Sequence, residues 1–260
     1  MVKRLEALRY ITPLREGGSL PAIIETDEPS MFVLKFRGAG QGPKALIAEL
    51  VSGLLAQAIG LPVPEIAFID LADGFGRMEP DPEIQDLLRA SVGLNLGLRY
   101  LPGSVNYDPA AVPDVDPALA SAIVWFDAFV TNVDRTPHNT NMLLWQGDLY
   151  LIDHGSTLYF HHNWDGYEKR IRTPFPAIRN HVLLPVATEI EAADDRLSSR
   201  LSEAIIRPII ESIPDSWLEG ERRFSTLEEH RQAYIDYLLT RLEPPRSFVA
   251  EAANAQSNLV

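Results

Sequence analysis

The sequence predicts an α+β fold in two parts, a small N-terminal antiparallel sheet with one helix and a larger, mainly helical C-terminal part. Short apolar segments bounded by glycine and proline, typical of strands, fill much of residues 1–104. One apolar stripe with helical spacing interrupts them, and the patterns after Pro117 are mostly helical. We therefore expect an N-terminal part over residues 1–104, a C-terminal part over residues 105–250 and a flexible tail over residues 251–260.

The composition restricts the class of protein. The chain has 260 residues and no cysteine, which excludes disulfides, thiolate zinc sites and cysteine nucleophiles and favours a cytoplasmic location. Its formal net charge of −13 opposes a nucleic-acid partner, because phosphate backbones require a basic surface. The N-terminus lacks the apolar run of a signal peptide, and no segment reaches the roughly 18 apolar residues of a membrane span. We expect neither a nucleic acid nor a membrane as partner.

A glycine-containing turn separates the first two predicted strands. Gly17, Gly18 and Ser19 lie between Tyr10-Ile11, which has strand character, and the apolar segment Ala22-Ile23-Ile24-Glu25. Strand, glycine turn and strand is the layout of a loop that covers nucleotide phosphates. A plain hairpin turn is the alternative.

The next predicted strand, Met31 to Phe36, carries one lysine, Lys35, among apolar side chains. Burying a lysine costs free energy unless the lysine meets a counter-charge. The helix that follows offers Glu49 as that counter-charge. A lysine that points to solvent from an edge strand is the alternative.

The helix is predicted from Pro43 to Ile59 and ends at Gly60, a common stop signal. Leucine, isoleucine and valine form a wide stripe on one face, whereas the opposite face has small residues with Glu49 as its single acid. A solvent-facing surface would carry several long charged side chains. We infer that the second face also packs against protein and that Glu49 pairs with Lys35. A solvated Glu49 is the alternative.

Two apolar segments on either side of the turn Gln146-Gly147-Asp148 predict a hairpin over residues 142–152. Asn141 precedes the first strand and Asp153 follows the second, so the hairpin brings these two residues close together. A carboxylate and an amide oxygen are hard ligands that suit Mg²⁺, which proteins usually hold together with substrate phosphates. Asp134 lies a few residues upstream, where it could orient or deprotonate an attacking hydroxyl.

This stretch resembles the catalytic and metal-binding loops of the protein-kinase-like superfamily. The resemblance rests on Asp134-Arg135, on Asn139 or Asn141 before an apolar strand, and on Ile152-Asp153-His154-Gly155. It is strongest to the HipA-like kinases, and phosphoinositide kinases are more distant. The usual spacing from the catalytic aspartate selects Asn139 as the metal-binding amide, whereas the start of the strand selects Asn141. A short insertion reconciles the two.

The resemblance implies a two-lobed protein-kinase-like fold and a phosphotransferase that uses ATP and Mg²⁺. In such proteins the strand lysine, here Lys35, contacts the nucleotide phosphates and pairs with a helix glutamate, here Glu49. Gly17, Gly18 and Ser19 would then close over the phosphates.

The resemblance also assigns the catalytic and metal-binding residues. Asp134 would position or deprotonate the acceptor, and Arg135 would neutralise charge beside it. Asp153 would hold Mg²⁺ together with Asn141 or Asn139. The acceptor is predicted to be a protein Ser/Thr hydroxyl, because HipA-like kinases modify proteins.

Three alternatives to a protein kinase remain at the level of sequence. A regulator that binds nucleotide without turnover would show no dependence on Asp134. A nucleotidyl transferase on the same scaffold would release pyrophosphate instead of ADP. A non-enzymatic acidic interaction protein would bind no nucleotide and would leave Lys35 unexplained.

Overall fold

The N-terminal part of the chain forms a five-stranded barrel in the computed structural model, which describes residues 2–14, 20–40, 42–111 and 115–259. The strands are β1 (Lys3–Pro13), β2 (Ala22–Thr26), β3 (Met31–Lys35), β4 (Ile66–Leu71) and β5 (Gly93–Arg99). Their hydrogen-bonded order is β1-β2-β3-β5-β4, and β4 pairs with β1 to close the barrel.

The closing pair corrects the prediction of an antiparallel sheet. Residues 3–6 of β1 run parallel to residues 67–70 of β4, whereas the other pairs are antiparallel. A helix, α1 (Pro43–Ala58), crosses over between β3 and β4. Because of this crossover, β4 runs in the same direction as β3 and therefore as β1.

A second helix, α2 (Pro82–Ala90), lies between β4 and β5, whereas the sequence pattern predicted only one helix in this part of the chain. The Asp81 carboxylate accepts a hydrogen bond from the Glu83 amide and caps the helix start. Ile84 and Leu88 are buried against the barrel residues. These two residues, four positions apart on one face of the helix, dock α2 on the barrel.

Helix α1 is buried on more than one face. Leu50, Val51 and Leu55 belong to the main apolar core. The small-residue face is also covered, since Ala48, Glu49, Ser52, Gly53 and Ala56 are buried. The inference that the second face packs against protein is therefore confirmed.

The remainder of the chain is mainly helical. Its helices are α3 (Pro117–Phe129), α4 (Tyr167–Arg170), α5 (Ile190–Leu197), α6 (Glu203–Glu211), α7 (Asp215–Leu218), α8 (Leu227–Leu242) and α9 (Ser247–Ser257). A small sheet of order β6-β7-β8 accompanies them, formed by β6 (Val105–Asn106), β7 (Met142–Trp145) and β8 (Asp148–Leu151). Short 3-10 helices cover Tyr159–His162, Pro176–Asn180, Leu184–Val186 and Ser198–Arg200. Within the described residues, no helix combines the length and apolar character needed to cross a membrane.

Helix α3 forms the centre of the helical part. Asp116 caps its start by accepting from the Leu119 amide, and Trp125, Phe126 and Phe129 are fully buried. Phe248 of α9 packs edge-on against Trp125, with 5.7 Å between ring centroids. Residues 251–257 thus belong to a docked helix and not to the flexible tail that the sequence analysis expected. Burial of Phe248, Val249 and Ala252 provides the packing energy that holds α9 in place.

Candidate active site

The hairpin of β7 and β8 brings the two predicted metal-binding positions to one end. The Ile152 amide donates to the Asn141 carbonyl at 3.0 Å, so Asn141 lies opposite the residue that precedes Asp153. Both Asn141 and Asp153 have a left-handed backbone, with φ of 48° and 56°. Asparagine and aspartate tolerate this conformation better than most residues. The expectation that the hairpin ends meet is confirmed.

Lys35 joins the barrel to this hairpin. Its ammonium group lies 2.7 Å from the Glu49 carboxylate on α1 and 2.6 Å from the Asp153 carboxylate. β3 pairs with β2 and with β5, so Lys35 is on an interior strand and not on a sheet edge. The Lys35 ammonium group therefore connects Glu49 on α1 to Asp153 at the predicted metal-binding end of the hairpin.

Burial and charge oppose each other in this ion pair. Burial by itself would lower the pKa of Lys35, but the charges of Glu49 and Asp153 outweigh it and hold that pKa above its ordinary value. Burial by itself would raise the pKa of Glu49, yet Lys35 and then His154 outweigh it and hold that pKa well below its usual range. Both groups of the Lys35–Glu49 pair are charged at neutral pH.

Asp134 faces the two asparagines that the sequence analysis left as alternatives. Its carboxylate accepts from the Asn139 amide group at 2.8 Å and from the Asn141 amide group at 3.3 Å. Asn141 is buried and directly precedes β7, whereas Asn139 is exposed and pairs with Thr136 in an isolated bridge. Of the two, Asn141 is the one whose backbone carbonyl accepts from the amide of Ile152, the residue before Asp153.

The donor set at the hairpin end fits a hard divalent cation. Within the described part of the chain, neither the side-chain oxygen of Asn141 nor the second carboxylate oxygen of Asp153 has a hydrogen-bond partner. The Asp153 side chain is 48% exposed and can therefore be reached from solvent. One carboxylate and one amide leave most of a six-coordinate Mg²⁺ shell for phosphate oxygens and water.

Comparison with known proteins identifies the family. The family model described as HipA-like kinase matches residues 8–248. The chain belongs to the HipA-like kinase family. It is thereby a kinase, that is, a phosphotransferase, and the resemblance found in the sequence is confirmed.

A solved structure with a similar fold is that of the proinflammatory kinase CtkA from Helicobacter pylori. The TM-score is 0.61 with 13% sequence identity, and the match covers 100% of each chain. At this identity the likeness concerns the fold. No curated protein matches the chain.

Arg135 has a different environment in this HipA-like kinase from the one expected. Its guanidinium is fully buried and lies 2.6 Å from the Asp127 carboxylate of α3. It also donates to the backbone carbonyls of Asn141 and Ile152. The side chain therefore points into the protein beneath the loop, and Arg135 holds the hairpin ends instead of neutralising charge beside Asp134.

Three contributing residues were missed by the sequence analysis. Asp127, Asn132 and His181 are buried beneath the Asp134 loop, and the side chains of Asn132 and His181 each hydrogen-bond to the Asp127 carboxylate. Asp127 gave a usable signal, because it is the only charged residue between Pro117 and Val130. His181 gave none, since it lies in an irregular segment far along the chain. The glycine loop of Gly17, Gly18 and Ser19 lies outside the described residues.

Proposed function

We propose that this HipA-like kinase transfers the γ-phosphoryl group of ATP to a protein Ser/Thr hydroxyl in a Mg²⁺-dependent reaction. The observation that carries the proposal is the position of Lys35 between Glu49 and Asp153. A lysine that pairs with a helix glutamate and lies beside a metal-binding aspartate is the arrangement that phosphoryl transfer needs for the β- and γ-phosphates.

The architecture supports a two-lobed reading. The barrel with α1 and α2 would form the nucleotide-binding lobe over residues 1–104, and the helical part would form the catalytic lobe over residues 105–250. Lys35 and Glu49 belong to the first and Asp134 and Asp153 to the second. ATP would bind between them, with Gly17, Gly18 and Ser19 covering its phosphates.

Each residue has a specific task in the proposed reaction. Lys35, held by Glu49, would bind phosphate oxygens, and the Asp153 carboxylate would then be available to a metal ion. Asp153 and Asn141 would hold Mg²⁺, which when bound neutralises charge on the phosphates; Asn139 is the alternative amide. Asp134 accepts the proton of the acceptor hydroxyl as its oxygen bonds to the γ-phosphorus, and the bond to the β-phosphate oxygen breaks to release ADP.

The surface beside Asp134 supports a polypeptide acceptor. Val133 is 41% exposed and Tyr159 is 62% exposed. The Tyr159 amide donates to the Thr131 hydroxyl, so Tyr159 lies against the same loop. Exposed apolar side chains next to the catalytic position suit a peptide segment better than a small polar acceptor. The proposal includes a cytoplasmic location, where ATP is supplied and a chain without cysteine needs no oxidising compartment.

The test is ATP binding by calorimetry with and without Mg²⁺. We compare the natural protein with Asp153→Asn, which keeps the left-handed backbone accessible, and with Asp148→Asn, an exposed control on the same hairpin. Mg²⁺ should strengthen ATP binding in the natural protein and in the control, and should no longer do so in Asp153→Asn. Absence of ATP binding under every metal condition would favour the acidic interaction protein instead.

Product analysis distinguishes the remaining alternatives. Labelled ATP is incubated with the natural protein and with Asp134→Asn in a cell extract. Transfer to protein with release of ADP, lost in Asp134→Asn, is the expected result. Release of pyrophosphate would identify a nucleotidyl transferase, and ATP binding without any transfer would identify a regulator without turnover.

A further inference from the structure

A single buried carboxylate lies beneath the candidate active site. Asp127 on α3 is fully buried, and its oxygens accept from three side chains. Arg135 donates at 2.6 Å and His181 at 2.9 Å to one oxygen, and Asn132 donates at 2.9 Å to the other. Burial by itself would raise the pKa of Asp127, but Arg135 and then the hydrogen bond from His181 outweigh it and hold that pKa well below its usual range.

The hydrogen bonds of His181 fix the position of its proton. The Leu183 amide donates to Nδ1 of His181 at 3.0 Å, so Nδ1 is an acceptor. The ring proton is therefore on Nε2 and is donated to Asp127. Burial is the main cause that lowers the pKa of His181, which keeps the ring neutral. Among the described residues, Arg135 is thus the cation that balances the charge of Asp127.

One branch of contacts leads from Asp127 to the catalytic loop. The backbone N–H of Asn132 donates to the backbone carbonyl of Asp127 at 2.8 Å. The side-chain amide of Asn132 donates to the Asp127 carboxylate. The side-chain oxygen of Asn132 accepts from the Asp134 backbone amide at 3.0 Å. The backbone of Asp134 is therefore held through Asn132.

A second branch leads to the hairpin. Arg135, paired with Asp127, donates to the carbonyls of Asn141 and Ile152, the residues at the ends of the two strands. The segment that carries His181 closes the arrangement, because the Val182 amide donates to the Arg135 carbonyl at 3.1 Å. Both hairpin ends are therefore held through Arg135.

We propose that Asp127 and His181 are positioning residues of the phosphotransfer site. They fix the loop that carries Asp134 and the metal-binding ends of the hairpin relative to each other. His181 directs the carboxylate of Asp127, and Asp127 directs Asn132 and Arg135. The inference rests on the proposed function, since it concerns the geometry of the same site. Both side chains are buried beneath the site, so each would act through its neighbours and not by touching ATP, metal or acceptor.

The test uses three histidine variants. His181→Leu removes the donor to Asp127 but leaves the Asp127–Arg135 ion pair, and His181→Gln retains an N–H that can reach Asp127. His230→Leu is the matched control, since His230 is also a buried histidine but lies in α8. All are compared well below their thermal unfolding midpoints.

Three quantities are measured: ATP affinity without metal, Mg²⁺ affinity of the ATP-loaded protein, and the rate of labelled phosphoryl transfer into a cell extract. In His181→Leu we expect metal-free ATP affinity to stay within about twofold, because Lys35 and Glu49 are not part of the network. Mg²⁺ affinity should fall about tenfold or more and transfer by about ten- to a hundredfold. His181→Gln should recover most of both losses.

Two results would overturn the inference while leaving the proposed function intact. One is Mg²⁺-dependent ATP binding and transfer in His181→Leu equal to those of the natural protein. The other is an equal loss in His181→Leu and His230→Leu, which would mean a general structural effect.

Amide hydrogen exchange keeps the inference testable if the natural protein binds no ATP, which would refute the proposed function. Faster exchange at the Asp134 and Ile152 amides in His181→Leu, but not in His230→Leu, supports the positioning role. Unchanged exchange at both amides overturns it.

Discussion

Lys35 is the residue on which the charge balance of the site depends. Among the described residues, it is the only ammonium or guanidinium group within salt-bridge distance of Glu49. The imidazole of His154 lies 3.6 Å from the same carboxylate. Glu49 is 1% exposed, so water cannot replace the lysine. Removing one partner of such a pair leaves an uncompensated buried charge, which typically costs about 3–5 kcal/mol.

Lys35→Met should therefore destabilise the fold in a pH-dependent way. In the natural protein the pKa of Glu49 is depressed. The charged carboxylate therefore stabilises the fold at any pH above the pKa that Glu49 has in the unfolded chain, and this contribution is lost only in stronger acid. Without Lys35, burial raises the pKa of Glu49, and the ionised carboxylate then destabilises the fold instead of stabilising it. The loss of unfolding free energy should be largest near pH 8 and should shrink toward pH 5.5 as Glu49 takes up a proton.

Urea unfolding of both proteins at these two pH values measures the effect. Lys3→Met is the control, because Lys3 pairs with Glu28 and Glu65 on the exposed barrel surface. It should have a small effect, since water can replace an exposed partner. An equal destabilisation of Lys35→Met at both pH values would contradict the assignment of Glu49 as the affected group.

The choice between Asn139 and Asn141 is testable by a pair of substitutions. Asn141→Gly removes the side chain without strain, because φ at this position is 48°. Asn139→Ala is the matched change at the exposed position. We expect Asn141→Gly to weaken Mg²⁺ binding to the ATP-loaded protein by at least about tenfold, as loss of a metal-site group does, and Asn139→Ala to change it little. The reverse order in a calorimetric Mg²⁺ titration would assign the metal to Asn139.

At the residue scale, the sequence indicates which residues belong to the site better than it indicates where their side chains point. The Lys35–Glu49 pair was predictable because a lysine in an apolar strand needs a counter-charge and the next helix has one acid on its small face. The contact of Lys35 with Asp153 was not predictable, since the two are 118 positions apart and meet only through packing of the barrel on the hairpin. For Arg135 the charge is evident from the sequence, whereas the inward orientation of the side chain is not.

At the element scale, barrel closure depends on a small residue in β5. A Cβ added to Gly97 would lie 2.8 Å from Cγ1 of Ile69 and 3.3 Å from Cβ of Phe32, both fully buried. The glycine leaves room for these larger side chains in a barrel of only five strands. Gly97 is therefore a packing requirement and not a turn signal.

Gly97→Ala should lower the unfolding free energy by about 1–3 kcal/mol through overpacking. Chemical denaturation of the natural protein, Gly97→Ala, Ile69→Ala and the double variant measures the effect. Because Ile69→Ala removes the nearest clashing atom, the double variant should be less destabilised than the sum of the single variants. Strict additivity would mean that the added methyl does not meet Ile69.

Element boundaries followed the sequence where local chemistry determines them. α8 begins after Thr226, whose hydroxyl caps the helix by accepting from the Glu229 amide. Barrel closure and the docking of α9 were missed for a common reason. The parallel β1–β4 pair and the contact of Phe248 with Trp125 are long-range, and local composition does not encode them.

At the scale of the whole molecule, α1 links the barrel to the helical part. The Ser52 hydroxyl lies 2.7 Å from the Thr157 hydroxyl, and Lys44 donates to the His161 carbonyl at 2.7 Å. The Arg200 guanidinium donates to the Ile59 carbonyl just after the helix. Because Glu49 is on the same helix, the ion pair with Lys35 depends on packing across the whole chain.

The helical part also contains buried histidines that make the stability of the molecule depend on pH. His161, His181 and His230 are all buried, and burial is the main cause that lowers each pKa, to about 4 for His230. Each ring is neutral in the folded state near neutral pH, while the unfolded chain binds a proton below about pH 6.5. Stability is therefore fully present above that value and is lost as the pH falls.

We expect the unfolding free energy to decrease below about pH 6.5, by up to roughly 1.4 kcal/mol per pH unit for each buried histidine. His230→Phe should remove one such contribution while keeping the ring stacked on Phe224, whose centroid is 4.7 Å away. Tyr159→Phe is the control, because it changes an exposed aromatic ring and removes no imidazole. Urea unfolding between about pH 7.5 and about pH 4.5 measures the slopes. A slope in His230→Phe as steep as that of the natural protein would show that His230 gains its proton in the folded state as readily as in the unfolded chain.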